Sequence, residues 1–150
     1  MNGGAGEGTG LEQLRAALSG EATGIAELLG ITVVDLTHGH VAFDLEPNRR
    51  MLNPLGTVHG GVAATLLDSV ASCAVHSALP AGATYATTQL NVHFVRPIHA
   101  GTPVLRGTGD LVHLGRTMAT ATATITDHVG QLVAHGTVTC AVRPVRSPAA

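Results

Sequence analysis

GGVAATLLDSVASCAVHSAL, residues 60–79, is the stretch that settles the architecture. Val62, Ala63, Leu66, Leu67, Val70, Ala71, Ala74 and Val75 recur at three- and four-residue intervals over about five turns, which predicts one apolar helix. Pro80 and Gly82 follow, and neither sustains a helix. Inside this helix stands a single formal charge, Asp68, beside Leu66, Leu67 and Val70. A lone carboxylate has poor helix propensity and is costly to bury. Thr65 at i−3 and Ser72 at i+4 share its side and make a narrow polar stripe along an oily rod. Two placements stand open at this level. Asp68 either faces solvent on the outer side of the helix or sits in a partly apolar cleft where its reactivity is tuned.

Working outward, everything after the helix reads as strand: Tyr85–Val95, Val104–Leu114, Arg116–Asp127 and Gln131–Val142. Residues 117–126 alternate almost strictly, with Ala119, Ala121, Ala123 and Ile125 on one face and Thr120, Thr122, Thr124 and Thr126 on the other. Period two marks a half-buried antiparallel strand, and Gly115 and Gly130 stand where hairpins must turn. Before the helix, Ile31–Leu36 and His40–Leu45 form two strands around a turn at Thr37, His38 and Gly39. Leu11–Leu18 and Ile25–Leu29 are short helices stopped by Gly20 and Gly30, and Pro47 to Pro54 is a polar loop. Residues 1–10 read as a flexible tail and 11–146 as a single domain. A lone apolar helix needs a surface to cover, and a curved antiparallel sheet supplies it. The expected class is α+β, a hotdog fold with the sheet wrapped round the central helix.

Composition narrows the function. The 150 residues carry a net charge of −2 and no lysine, so there is no basic field for nucleic acid. The aromatics are Tyr85, Phe43 and Phe94 alone, without tryptophan. The core must then be aliphatic, and no stacking platform is evident. Cys73 and Cys140 sit in apolar stretches away from metal-ligand spacing, as in a reduced, cytoplasmic protein. His38 and His40 flank Gly39 at a hairpin turn without a cysteine or carboxylate at ligand spacing, so no metal is expected. The N-terminus lacks a signal-peptide pattern and no stretch reads as a membrane span.

Immediately before the helix stands Asn53-Pro54-Leu55-Gly56-Thr57-Val58-His59-Gly60-Gly61. Two glycines at a helix start leave backbone N–H groups unobstructed, and the helix dipole there favours a developing negative charge. Thioester hydrolysis needs a donor for the carbonyl oxygen and a carboxylate to attack or to activate water. Gly60 N–H and Asp68 are candidates for the pair. Eight residues of helix rise about 12 Å, so the two act on one carbonyl only when they come from different subunits. A catalytic reading thus predicts a two-fold dimer.

Asn53-x5-His59-Gly60-Gly61-x6-Asp68 resembles the signature of the PaaI-like hotdog thioesterases, related to one branch of the 4-hydroxybenzoyl-CoA thioesterases. The likeness runs from about Ile25 to Pro144, with landmarks at Asn91–Pro97 and Gly115-Arg116-Thr117. It implies that Asp68 is the catalytic carboxylate, as nucleophile or general base, and that Gly60 N–H is the oxyanion donor, shaped by His59. Asn53 matches a position that holds the thioester or orients water. Gly61, Ser72 and Thr87 fall near the substrate, and Arg116 is the favoured contact for CoA. The resemblance further implies an aryl- or medium-chain acyl-CoA substrate, no cofactor, and a homodimer or dimer-of-dimers tetramer. Two alternatives remain, a non-catalytic acyl-CoA-binding module and a hotdog enoyl-CoA hydratase or dehydratase. The second is weakened because Cys73, not histidine, lies five residues after Asp68. No Gly-x-Ser-x-Gly elbow supports a serine triad.

Overall fold

The computed structural model describes residues 8–144. Residues 1–7 of the expected tail, and Val145 and Arg146 at the far end of the expected domain, lie outside the described residues. Helices α1 (Gly10–Leu18) and α2 (Gly24–Leu29) lead into strands β1 (Thr32–Thr37) and β2 (His40–Leu45). A single 3-10 turn at Arg49–Met51 precedes α3 (Gly60–Ser77), and β3 (Thr84–Phe94), β4 (Leu105–Leu114), β5 (Met118–Thr126) and β6 (Leu132–Arg143) complete the chain. The strands form one antiparallel sheet in the order β1-β2-β4-β5-β6-β3, and α3 packs on its inner face. This is the α+β hotdog arrangement expected from the order of elements.

The sheet reaches the helix by closeness more than by bulk. Facing α3 are Val41, Phe43 and Leu45 of β2, Leu105, Gly107 and Gly109 of β4, and Ala119, Ala121, Ala123 and Ile125 of β5, all buried. From the helix come Ala63, Leu66, Leu67, Val70, Ala71, Ala74 and Val75, each at most 1 % exposed. Alanine and glycine on the inner face of β4 and β5 let the strands approach the helix backbone, which fills a core that has few aromatic rings to fill it with.

Element limits differ from the sequence expectation in small, explicable ways. Helix α3 ends at Ser77, not Leu79, where the Ala78 N–H donates to Val75 O and the Leu79 N–H to His76 O, each at 3.0 Å, ahead of Pro80. Thr9 and Gly10 belong to α1 and not to the tail: Thr9 forms a reciprocal capping box with Glu12, and the Gly10 N–H donates to Leu79 O at 3.0 Å. The loop from Pro47 to Pro54 is more than a polar connector. Pro47 and Met51 are buried, and a bridge between Leu52 and Val58 steadies the approach to α3. His40 pins the sheet's outer side, its Nδ1 2.7 Å from Asp110 and its Nε2 3.6 Å from Asp35.

Strand β3 governs the position of the site. It pairs with β6 along one side only and forms an edge of the sheet eleven residues long. A bulge between Thr87 and Gln89 shifts its register. Its inner side therefore carries Tyr85 and Thr87 before the bulge, then Leu90, Val92 and Phe94 after it, opposite the buried or inward Val142, Cys140, Val138, Gly136 and Ala134 of β6. Among the described residues, no helix is long and apolar enough to cross a membrane.

Candidate active site

The two halves of the predicted site lie at opposite ends of β3. Asp68 does not face open solvent. It is half-buried on the side of α3 turned to β3, where Thr87 Oγ1 donates to its Oδ1 at 2.9 Å. Ser72, one turn further on, is 9 % exposed, and its Oγ donates to Ser69 O at 3.5 Å. The negative charge of Asp68 is felt from three elements. Burial first, and Asp68 second, push the Cys73 thiol up to about 12. Burial raises the Cys140 thiol and the Tyr85 phenol, and Asp68 adds to both. All three groups stay protonated at neutral pH, so neither cysteine offers a thiolate.

The other half is the entry to α3. His59 is the N-cap, and its ring Nδ1 accepts the Gly61 N–H at 2.8 Å. In the neutral ring this places the proton on Nε2. A Cβ at position 61 would stand 2.9 Å from that Nδ1, so the second glycine exists to let the histidine fold back as a cap. His59 O accepts the Val62 N–H, while among the described residues no acceptor takes the Gly60 N–H. Gly61 thus serves the cap, and Gly60 keeps its donor available at the positive end of the helix. Against Gly60 lies the ring of Phe94, 59 % exposed. The two contribute to a pocket of about 300 Å³ whose walls include Val58, Ala63, Arg96 and Ile98. Asp68 is not part of that wall.

Asn53 has a clear task in the loop. Its Oδ1 accepts the N–H groups of Leu55 at 3.0 Å and Thr57 at 3.2 Å, and its Nδ2 donates to Thr57 Oγ1 at 3.0 Å. These bonds knot residues 53–57 and deliver His59 to the helix start. Arg116 and Arg143 are both exposed and share one end of the sheet, since Thr117 O accepts the Val142 N–H and Arg143 is in register with Thr84. Arg96 instead ties its own loop to Leu132 O. Among the described residues, no cluster of three or more His, Cys, Asp and Glu side chains is disposed to hold a metal.

Two residues of this region were not legible as site residues. Phe94 and Tyr85 are two of only three aromatics in the chain, and the fold places one on Gly60 and the other beside the Asp68 cluster. Their strand looked unremarkable because the bulge changes which residues share a face.

Comparison with known proteins agrees with the fold. Residues 55–134 match the profile of the thioesterase superfamily. Human acyl-coenzyme A thioesterase 13 is 28% identical over 118 residues, covering 77% of this chain and 83% of that protein. Among solved structures, a phenylacetic acid degradation-related protein from Ralstonia eutropha superposes with a TM-score of 0.75 at 33% identity, covering 85% of this chain and 97% of that one. A Streptococcus mutans protein bound to acetyl CoA superposes with a TM-score of 0.71 at 30% identity, covering 78% and 91%.

Proposed function

The chain belongs to the thioesterase superfamily, and from that premise we propose that it hydrolyses aryl- or medium-chain acyl-CoA at a site shared by two subunits. The observation that carries this reading is the half-buried Asp68 held by Thr87 at the free edge of β3. An eleven-residue edge strand is a ready template for pairing with another copy. Thr87 marks Asp68 and Phe94 marks Gly60 along this strand. Antiparallel self-pairing about a two-fold axis near Leu90 and Asn91, midway between them, exchanges the two positions. Each Asp68 then lies beside the partner subunit's Gly60, which removes the roughly 12 Å separation within one helix.

In this composite site the thioester oxygen accepts the Gly60 N–H, steadied by the dipole of α3 and by the His59 cap. Asp68 either attacks the carbonyl carbon or takes a proton from the attacking water, and the CoA thiolate leaves. Thr87 holds the carboxylate in one orientation, and Ser72 continues the polar lining behind it. Arg116, with Arg143 beside it, offers guanidinium groups to the CoA phosphates. Asn53 acts by fixing the loop that presents His59 and Gly60, with one N–H left to orient water or the thioester. The residues assembled here call for no metal or cofactor to complete such a hydrolysis. The charge of −2 and the absence of lysine favour neither nucleic acid nor an anionic membrane as partner.

Release of CoA thiol from a panel of short-, medium-, long-chain and aryl CoA esters tests the activity, and a chain that binds acyl-CoA without releasing thiol is a binding module instead. Sharing of the site is tested by complementation. Asp68→Ala and Gly60→Val homodimers are each expected to be inactive, the second because a side chain there meets Phe94. Refolded together, they form heterodimers with one intact site and recover a substantial fraction of wild-type turnover. No recovery despite heterodimer formation sinks the composite arrangement. Thr87→Val, which removes the donor to Asp68 and suits a strand, is expected to lower kcat about tenfold, and Thr87→Ser to restore most of it.

A further inference from the structure

Phe94 alone among the three aromatic residues is largely exposed, whereas Phe43 is buried and Tyr85 half-buried. Its backbone is fixed, because Phe94 is in register with buried Ala134 and the Val95 N–H donates to Val133 O at 2.8 Å. Beyond it the chain turns back along the loop that leads into α3. There the Val58 N–H donates to Ile98 O at 2.8 Å, and Thr57 bridges to His99. These bonds hold Phe94 and Gly60 in one frame. A Cβ added at Gly60 would stand 3.1 Å from the tip of the ring, Cζ, and 3.3 and 3.5 Å from the two Cε atoms. The ring thus occupies the space of the missing side chain and flanks the Gly60 N–H, which among the described residues has no acceptor. The pocket of about 300 Å³ that the two share is otherwise apolar, walled by Val58, Ala63, Val95, Pro97 and Ile98. Its one charged wall residue, Arg96, is tied to Leu132 O.

A donor set in an apolar wall stabilises a developing negative charge more strongly than one bathed in water. A ring beside it also keeps off the water that would otherwise occupy the N–H before the carbonyl arrives. We propose that Phe94 is a positioning residue of the hydrolysis, whose ring covers the Gly60 N–H against water and forms the wall on which the thioester carbonyl seats. The proposal rests on the reading of Gly60 as the oxyanion donor and names what makes that donor effective. It also gives a reason for the glycine itself, since a side chain at position 60 displaces the ring.

The test measures amide–water exchange at Gly60 by NMR, and kcat and KM on the best-cleaved CoA ester, in the full chain. The variants are Phe94→Ala, Phe94→Val and Phe94→Leu beside wild type. Phe94→Ala is expected to speed exchange at Gly60 about tenfold. It lowers kcat about tenfold or more, with KM within about threefold. Phe94→Leu, which keeps an apolar cover of similar size, recovers most of both. Gly60→Ala supplies a further readout. Its methyl meets the ring in wild type but finds open space once Phe94 is alanine, so its loss of kcat shrinks about fivefold or more in the Phe94→Ala background. Additive losses, or exchange at Gly60 as in wild type, overturn the proposal. If Phe94→Ala does not fold, the β-branched Phe94→Val, suited to a strand, decides the matter. Faster exchange with unchanged kcat removes Gly60 from the chemistry, and the role of Phe94 with it. Asp68→Asn runs in parallel. Its loss of turnover beside unchanged Gly60 exchange in Phe94→Ala sinks the cover alone. A wild type that cleaves no ester, or full turnover in Asp68→Asn, sinks the hydrolytic centre, while exchange at Gly60 still reports on Phe94.

Discussion

Asp68→Ala is expected to cut release of CoA thiol by about 10²–10⁴-fold while leaving the dimer and the melting temperature essentially as in wild type. The reason lies in the division of labour around the carboxylate. Asp68 is half-buried at an edge, and its hydrogen bond comes from a single exposed threonine, Thr87. The helix that carries it is held by Leu66, Leu67, Val70 and Ala71, each fully buried. Truncating Asp68 therefore removes the anion without opening the core, and alanine is the better helix former. Asp68→Asn keeps the shape and the bond to Thr87 but not the charge, and should lose nearly as much. The decisive measurement is single-turnover kinetics on the best ester of the panel, beside size-exclusion chromatography and a thermal melt. Near wild-type turnover in both variants would remove Asp68 from the chemistry and with it the proposed mechanism.

The largest expected effect on stability belongs to a residue with no chemical role. A Cβ added at Gly109 would stand 2.1 Å from Val70 O, 2.3 Å from Val70 C and 2.7 Å from Ala71 N. These are backbone atoms in the middle of α3, not the ends of side chains that can turn away. Gly109 is also clamped laterally, in register with Val41 of β2 and Ala123 of β5. Gly109→Ala must therefore push the sheet off the helix along several residues at once. Overpacking of this kind costs about 3 kcal/mol or more, which for a chain of this size lowers Tm by about 10 °C. Gly101→Ala, where a Cβ meets nothing within 4 Å, serves as the control and should move Tm by about 1 °C or less. Calorimetry on the two variants checks the prediction, and equal melting temperatures would show that β4 is not seated against α3 as described.

Much of the scaffold was legible because its signals are local. The apolar recurrence from Val62 to Val75 predicted α3, and the Ala–Thr alternation predicted β5 with Ala119, Ala121, Ala123 and Ile125 inward, as found. The anomaly of Asp68 was visible too, but not its direction, since a helix alone does not say which of its sides meets an edge strand. Strand β3 was the harder case. Strict alternation from Tyr85 would have put Gln89, Asn91 and His93 on the inner side, whereas the bulge after Thr87 turns Leu90, Val92 and Phe94 inward. The scarcity of aromatics suggested no stacking surface, yet two of the three flank the site. The Gly-Thr-Gly of β4, residues 107–109, was a further unread signal, because glycine inside a strand marks a close backbone approach.

Residue order thus carried the helix, the six strands, the aliphatic core and a lone carboxylate on a helix with a glycine-rich start, all of which depend on neighbours within a few positions. The meeting of Thr87 with Asp68, the ring of Phe94 on Gly60, the packing of Tyr85 on His76, and the exposure of β3 as an edge came only with the packed sheet. They join residues far apart in the chain, and their geometry follows from strand order and one bulge, which no short window of sequence contains.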